Sequence, residues 1–308
     1  MSGGCSSTTH PSTPIISGQT RIVGVIGWPV AHSVSPAMHN AAFRALGLDW
    51  CYVPFPVRPR RLGQALAGVR GLSLGGINVT VPHKQALLPL VDELTPEARA
   101  VGAVNTVMVK DETLVGHNTD VGGFLRALGE AGFDARGCAA LVLGAGGAAR
   151  AVVYALARVG AHLTILNRTA SRACDLAREF ASGSQGTATV VSAEARLEGG
   201  SLDEQTLRRA APQARLIVNT TSLGMWPEVE TSPWIEGVPF PADALLFDLV
   251  YNPRETLFMR QARTGGARAV DGLRMLVHQG AEAFELWTGV QPPVEVMYAA
   301  CTAALGGS

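Results

Sequence analysis

Short apolar runs alternate with stretches of helical spacing along most of the chain. Arg21–Gly27 (RIVGVIG) reads as a buried strand. Behind it, Pro36–Leu46 reads as a helix with Ser35 as N-cap, Pro36 at the first helical position and Gly47 as the stop. Cys51–Val57 is a strand, and Pro54 and Pro56 put it near a sheet edge because neither can donate to a ladder. Ile77–Val81 is expected as a further short strand and Lys84–Leu94 as a helix. Val104–Val109 and Leu114–Gly116 flank the polar group Lys110–Thr113, the pattern of a hairpin.

The alternation then becomes more regular. Ala139–Leu143 is an apolar strand, and Gly144–Arg150 is a glycine-rich turn that enters a helix. The apolar positions of that helix, Ala149, Val152, Val153, Leu156 and Val159, have the spacing of a face packed on a sheet. Leu163–Leu166, the region of Val218, Leu245–Val250 and a helix over Glu255–Ala262 continue the series. Ser182–Gly200 is polar and rich in small residues, and is expected to loop around one short strand. An amphipathic helix near Leu273–Trp287 is expected to be the last. Repeated strand–helix units imply a mostly parallel sheet with right-handed crossovers.

The 308 residues allow two domains, at about 150 residues each. Hydrophobic residues make up 47% and charged residues 16%, enough apolar material for large cores. Lys plus Arg and Asp plus Glu are 25 each, so no bulk field points to nucleic acid as a partner. The five cysteines (Cys5, Cys51, Cys138, Cys174 and Cys301) are scattered and form no CxxC pair. They predict neither a disulfide framework nor a zinc site, no metal is expected, and a reducing cytoplasm is the natural home. Residues 1–20 read as a flexible tail that lacks the apolar run of a secretory signal. No apolar segment approaches the ~18 residues of a membrane span, so no membrane partner is expected.

Four runs carry chemistry. In LVLGAGGAAR, Gly144, Gly146 and Ala149 form a G-x-G-x-x-A series between a strand and a helix, where a pyrophosphate can approach the backbone and the helix N-terminus. About 20 residues on, where an NAD site carries an acid, stands Asn167-Arg168-Thr169. Arg168 can pair with a 2′-phosphate, and the missing carboxylate points to NADP. In Gly27–Pro36, Ser35 is explained as an N-cap, yet Ser33 and Ser35 together also make a carboxylate cradle, and the residues leave both readings open. In Asn78–Lys84, Asn78 and Thr80 share one strand face that ends at Lys84, at the edge where α/β sheets bind ligands. A lone lysine there is more often solvated. In Asn118-Thr119-Asp120, Asp120 also fits the N-cap of a helix through Leu128.

Taken together, GWPVAHSVSPAMHN, INVTVPHK, GAVNTV, GHNTD, GAGGAAR, NRT, NTTSLGM, DLVYNP and GLRMLVHQGAEAFELWTG resemble the shikimate dehydrogenase family from about Arg21 to Gly289. Thr220 stands in NTTSLGM where that family often has Ala. The resemblance implies NADPH-dependent reduction of 3-dehydroshikimate in chorismate and aromatic amino-acid biosynthesis. It implies Ser33 and Ser35 on the substrate carboxylate, and Thr80, Asn105, Tyr251 and Gln279 on its hydroxyls and carboxylate. Lys84 would be the acid/base group and Asp120 its partner. Gly144, Ala145, Gly146, Gly147 and Ala148 would hold the pyrophosphate, and Asn167, Arg168, Thr169, Ala170, Ser171 and Arg172 the adenosine 2′-phosphate. Met225, Leu249 and Gly272 would line the nicotinamide side. Without the resemblance, Gln279 reads as a solvated polar position.

The expected architecture is two α/β domains. Residues 21–119, with 271–308 returning to them, form a discontinuous substrate domain, and 120–270 form a Rossmann-like NADP-binding domain with a parallel sheet. The protein is expected to act on a small molecule as a monomer or homodimer. An NAD-dependent quinate/shikimate dehydrogenase would favour an acid at Asn167-Arg168-Thr169 and often Ser-x-Thr in place of Ser33-Val34-Ser35. A non-catalytic dinucleotide-binding regulator on the same fold would not need Lys84 and Asp120.

Overall fold

A computed structural model describes residues 16–182, 192 and 194–306. Most of the segment expected to be a tail, and part of the Ser182–Gly200 stretch, lie outside the described residues. The first half contains β1 (Arg21–Gly27), α1 (Ser35–Ala45), β2 (Trp50–Pro56), α2 (Leu62–Gly71), β3 (Gly76–Val79), β4 (Glu93–Leu94), α3 (Pro96–Val101), β5 (Thr106–Lys110) and β6 (Thr113–His117). Helix α4 (Asp120–Glu130) leads to β7 (Ala139–Leu143), α5 (Gly147–Arg158), β8 (His162–Asn167), α6 (Ala170–Ser182), β9 (Leu197–Ser201), α7 (Glu204–Ala210), β10 (Leu216–Asn219), β11 (Leu245–Asp248), α8 (Leu257–Thr264) and β12 (Arg268–Val270). The long helix α9 (Leu273–Thr288) and then α10 (Val294–Gly306) follow. Among these residues no helix is long and apolar enough to cross a membrane.

Two six-stranded sheets result. The second, ordered β12-β11-β10-β7-β8-β9, is parallel throughout. Its central strand β7 is apolar on both faces, as a sheet covered by helices requires. Ala140 and Val142 pack towards α4, α5 and α6, while Leu141 and Leu143 pack towards α7 and α8. Each large side chain buried this way contributes about 1.5–3 kcal/mol. The first sheet, β2-β1-β3-β5-β6-β4, is mixed, because the β5–β6 hairpin runs antiparallel to β3. β2, with its two prolines, is indeed the edge strand. α9 and α10 return to this first sheet, where Val277, Phe284, Met297 and Cys301 share one core with Val23, Val25, Met38 and Phe43. The return brings Trp287 close enough to donate from Nε1 to the Val107 carbonyl at 3.1 Å. Gly76 makes that possible, since a Cβ there would lie 2.2 Å from the indole nitrogen.

Several expectations need correction. Residues 84–94 are not a helix but a series of turns, a short 3-10 segment at Leu88–Leu90 and the two residues of β4. Pro89 has no N–H to give an α ladder, and the Lys84 carbonyl accepts instead from Val104 N at 2.8 Å. α1 begins at Ser35, with Val34 as N-cap and no side-chain cap bond, so Ser35 is not a cap. The segment Leu273–Trp287 is not the last helix, because α10 follows.

His39, on α1, is fully buried beneath Tyr52, with ring centroids 4.3 Å apart and planes 3° from parallel. Among the described residues neither of its ring nitrogens has a hydrogen-bond partner, and burial pushes its pKa down to about 3. In the unfolded chain the same histidine titrates near 6.5. Unfolding therefore takes up a proton below that pH. The stability His39 contributes is complete above pH 6.5 and falls as pH drops from there towards 3, by about 1.4 kcal/mol per pH unit. His39→Phe keeps the ring stack and removes the titration, so its stability should fall less steeply with acid. Urea titrations of both proteins between neutral pH and about pH 4.5 check this, and parallel profiles would exclude His39 as the source.

Candidate active site

The carboxyl ends of β1 and β3 stay joined beyond the strands. Thr80 N donates to Ile26 O at 2.9 Å and Trp28 N to Val81 O at 3.0 Å. This sets the Ser33–Ser35 turn beside the Thr80–Lys84 turn. Ser33 Oγ accepts from Ser35 N at 3.3 Å, so Ser33 orders the turn, while Ser35, 6% exposed, turns its hydroxyl to Tyr52 instead of capping α1. Tyr52 faces Ser35, and its burial lifts the phenol well above its usual range. Tyr52 Oη donates to Asn78 Oδ1 at 2.8 Å, and Asn78 Nδ2 donates onward to Thr106 Oγ1 at 3.0 Å. Burial also pushes the nearby Tyr251 phenol up to about 12.

Lys84 is not solvated: its side chain is 15% exposed and its Nζ donates to Asp120 Oδ2 at 2.5 Å. Asp120 is the first residue of α4, with Thr119 as N-cap, so its carboxylate faces the positive end of the helix rather than capping it. Its other oxygen, Oδ1, accepts from Asn105 Nδ2 at 2.9 Å. The orientation of that amide is fixed by chemistry. Thr119 N, which can only donate, reaches Asn105 Oδ1 at 2.8 Å, so the NH₂ end points at Asp120. Gln279 Oε1 lies 3.3 Å from the same nitrogen, and its own Nε2 donates to Leu276 O at 2.7 Å. Gln279 is 8% exposed, not solvated.

A glycine absent from the sequence reading permits this convergence. A Cβ at Gly123 would lie 2.8 Å from the Gln279 backbone nitrogen, while one at Gly122 would meet only the end of the Glu282 side chain. Without a side chain at Gly123, α4 and α9 approach closely enough for Gln279 to meet Asn105. Glu282 is pushed up to about 7 by burial. The spacing Asp-x-Gly-Gly at a helix start was the one visible signal.

The glycine-rich turn abuts this group directly, since a Cβ at Gly147 would lie 3.0 Å from Lys84 Cβ. Gly144 N donates to Leu166 O at 2.8 Å and takes φ +114, and Gly146 caps α5 with extended backbone and no side-chain bond. Free N–H groups at the start of α5 and the open space around Gly146 suit an anion. At the end of β8, Asn167 Nδ2 donates to Thr169 O at 3.0 Å, and Arg168, Thr169, Ser171 and Arg172 are exposed. Met225 is 45% exposed on the segment after β10. Gly272 packs on the Leu249 carbonyl, 2.2 Å from where its Cβ would stand. Those segments are tied by Asp248, which accepts from Asn219 Nδ2 at 2.8 Å, Thr256 Oγ1 at 2.7 Å and Val250 N at 3.1 Å. Its carboxyl is raised by burial to about 6. Arg150 joins the two halves: Nε donates to Val101 O at 2.6 Å and the guanidinium pairs with Glu179.

Three family descriptions match in order along the chain. The shikimate dehydrogenase substrate-binding domain covers residues 25–107, the shikimate/quinate 5-dehydrogenase family 127–198 and the shikimate 5′-dehydrogenase C-terminal domain 272–302. A shikimate dehydrogenase (NADP(+)) of Moorella thermoacetica is 47% identical over 298 residues, 95% of this chain and 96% of that one. A solved shikimate dehydrogenase in complex with NADP+ superposes with TM-score 0.85 at 37% identity, covering 96% of this chain and 99% of the other. The enzyme of Thermus thermophilus with NADP(H) and shikimate gives 0.80 at 41% identity, covering 92% and 100%.

The first two glycines of the turn should respond differently to a methyl group. Gly144→Ala places a Cβ 2.4 Å from Thr220 Oγ1 at φ +114 and should lose about 1–3 kcal/mol of stability. Gly146→Ala meets nothing within 4 Å at φ −95 and should unfold like the parent, yet bind a dinucleotide phosphate more weakly. Urea unfolding and calorimetric titration separate the two effects. Undiminished binding by Gly146→Ala would show that no phosphate approaches that backbone.

Proposed function

The chain belongs to the shikimate dehydrogenase family, and on that footing we propose how its residues divide the reaction between them. The reaction is the reversible NADPH-dependent reduction of 3-dehydroshikimate to shikimate, oxidoreductase chemistry at a CH–OH group, within the chorismate route to aromatic amino acids. The observation that carries the assignment is the shielded Lys84–Asp120 pair with the glycine-rich turn packed against Lys84.

NADPH, when bound, supplies the hydride that converts the ketone to an alcohol. Negative charge then grows on the ketone oxygen. Lys84, as the ammonium, stabilises that charge and gives up a proton from Nζ to it; in the reverse direction Nζ takes the proton back. Asp120, at the α4 N-terminus, aims Nζ through Oδ2 and is itself held by Asn105 through Oδ1. Low exposure removes competing water and strengthens both interactions.

Ser33 and Ser35 take the substrate carboxylate, and Thr80, Asn105, Tyr251 and Gln279 its hydroxyls and carboxylate. The uncapped Ser35 hydroxyl beside Tyr52 supports the first part of this reading. Gly144–Ala148 hold the pyrophosphate and Asn167–Arg172 the 2′-phosphate, while Met225, Leu249 and Gly272 line the nicotinamide. In this scheme residues 21–119 and 271–308 serve the substrate and 120–270 the cofactor. We place the enzyme in the cytoplasm, as a monomer or homodimer with no nucleic-acid or membrane partner. The free thiols of Cys51, Cys138, Cys174 and Cys301 fit a reducing compartment.

Lys84→Ala should leave NADP+ affinity near that of the parent and lower kcat by at least ~10², at some cost in melting temperature because Asp120 loses its counter-charge. Cofactor absorbance at 340 nm reads turnover, and near-normal kcat would remove Lys84 from the mechanism. Arg168→Ala should weaken NADP+ by about ten- to a hundredfold, the worth of one charge-assisted Arg–phosphate bond, and leave NAD+ almost unaffected. Titration of both cofactors at fixed ionic strength decides this. Equal losses would make Arg168 a structural residue.

A further inference from the structure

We infer that His32 and Trp226 form a clasp between the two halves of the chain, coupling substrate binding to placement of the nicotinamide side of the cofactor. Their ring centroids are 4.3 Å apart, with planes tilted by 57°. The inference rests on the residue roles given under Proposed function.

His32 lies in the turn between β1 and α1, immediately before Ser33. Ser33 N donates to Val30 O at 3.1 Å and Ser33 Oγ accepts from Ser35 N, so His32 is part of the same ordered turn as both serines. Whatever settles on those hydroxyls fixes the place of His32. Trp226 lies on the second sheet's side, immediately after Met225 in the segment leaving β10. Its backbone N donates to Asn252 O at 2.9 Å, next to Tyr251, and Gly224 N donates to Thr231 Oγ1 at 2.7 Å. The base of the segment is held by Asn219 on Asp248. The segment is therefore anchored at its base and reaches towards the other half at its tip. Met225 and Trp226, 45% exposed each, are large apolar side chains left partly in water. The imidazole of His32 covers part of that surface.

His32 and Trp226 are positioning residues, each touching a segment that meets a ligand. A ligand on the Ser33–Ser35 hydroxyls holds His32 in that place, and a ligand beside Met225 holds Trp226. Either event lowers the cost of the other, and the coupling is reciprocal by thermodynamic necessity. An aromatic contact of this kind corresponds to roughly two- to tenfold coupling in affinity.

The test uses NADP+ and 3-dehydroshikimate together. Both are oxidised, so no hydride moves and a dead-end complex forms. Calorimetry gives the Kd of NADP+ alone and with saturating 3-dehydroshikimate for the parent, His32→Ala, Trp226→Ala, the double variant and Trp226→Phe. The parent should bind NADP+ more tightly in the presence of 3-dehydroshikimate. His32→Ala and Trp226→Ala should each remove roughly two- to tenfold of that enhancement, the double variant no more than either, and Trp226→Phe should retain it. Affinity for NADP+ alone should stay within about twofold, a change small beside one charge-assisted bond. Enhancement preserved in both alanine variants, losses that multiply in the double variant, or an equal loss for NADP+ alone would each overturn the clasp. If Trp226→Ala does not fold, His32→Ala alone decides. Failure of the parent to bind either ligand would instead refute the functional reading beneath it.

Discussion

A lysine and an aspartate cannot leave water unless each charge is met, and much of this molecule is organised around meeting these two. Lys84 and Asp120 answer one another at 2.5 Å, but a carboxylate has more acceptor sites than one ammonium fills. The rest come from the positive end of α4 and from the Asn105 amide. Asn105 is in turn forced into its orientation by a backbone N–H that can only donate. Remove that N–H, and the amide could turn its oxygen to Asp120 and repel it. The setting of this ion pair thus depends on a backbone group one residue before the aspartate.

The two halves meet through contacts of different kinds. α4 packs on α9 where Gly123 lets the backbones approach, Gly147 lies on Lys84, and Arg150 reaches the end of α3. A Cβ at Gly102 would lie 2.3 Å from the Arg150 guanidinium, so the left-handed glycine that ends α3 also makes room for it. The helix that follows the glycine-rich turn therefore also grips the segment that leads into Asn105.

The ends of β1 and β7, the glycine-rich turn and the β5–β6 hairpin were legible, because apolar runs and turn residues act locally. The proposed helix over Lys84–Leu94 failed because Pro89 and a long-range bond from Val104 override its spacing. α10 escaped notice because VEVMYAACTAALG is apolar on nearly every side and shows no stripe. Lys84, Asp120 and Asn105 were legible through the family's motifs, whereas composition alone left Lys84 on the surface. Gly122 and Gly123 were not, since what they accommodate lies on α9, far along the chain.

The return of α9 and α10 to the first sheet has a consequence for how the protein is made. β1, β2 and α1 emerge early from the ribosome, yet the layer that covers them carries Phe284, Trp287, Met297 and Cys301. At about 5–20 residues per second, the stretch between β6 and α9 takes roughly ten to thirty seconds to translate. Through that interval the first sheet waits with one apolar face bare, while the parallel sheet acquires its strands in turn and is complete once β12 is made, before α9 begins. Nascent-chain chaperones would therefore find their most persistent target in strands made long before the helices that cover them.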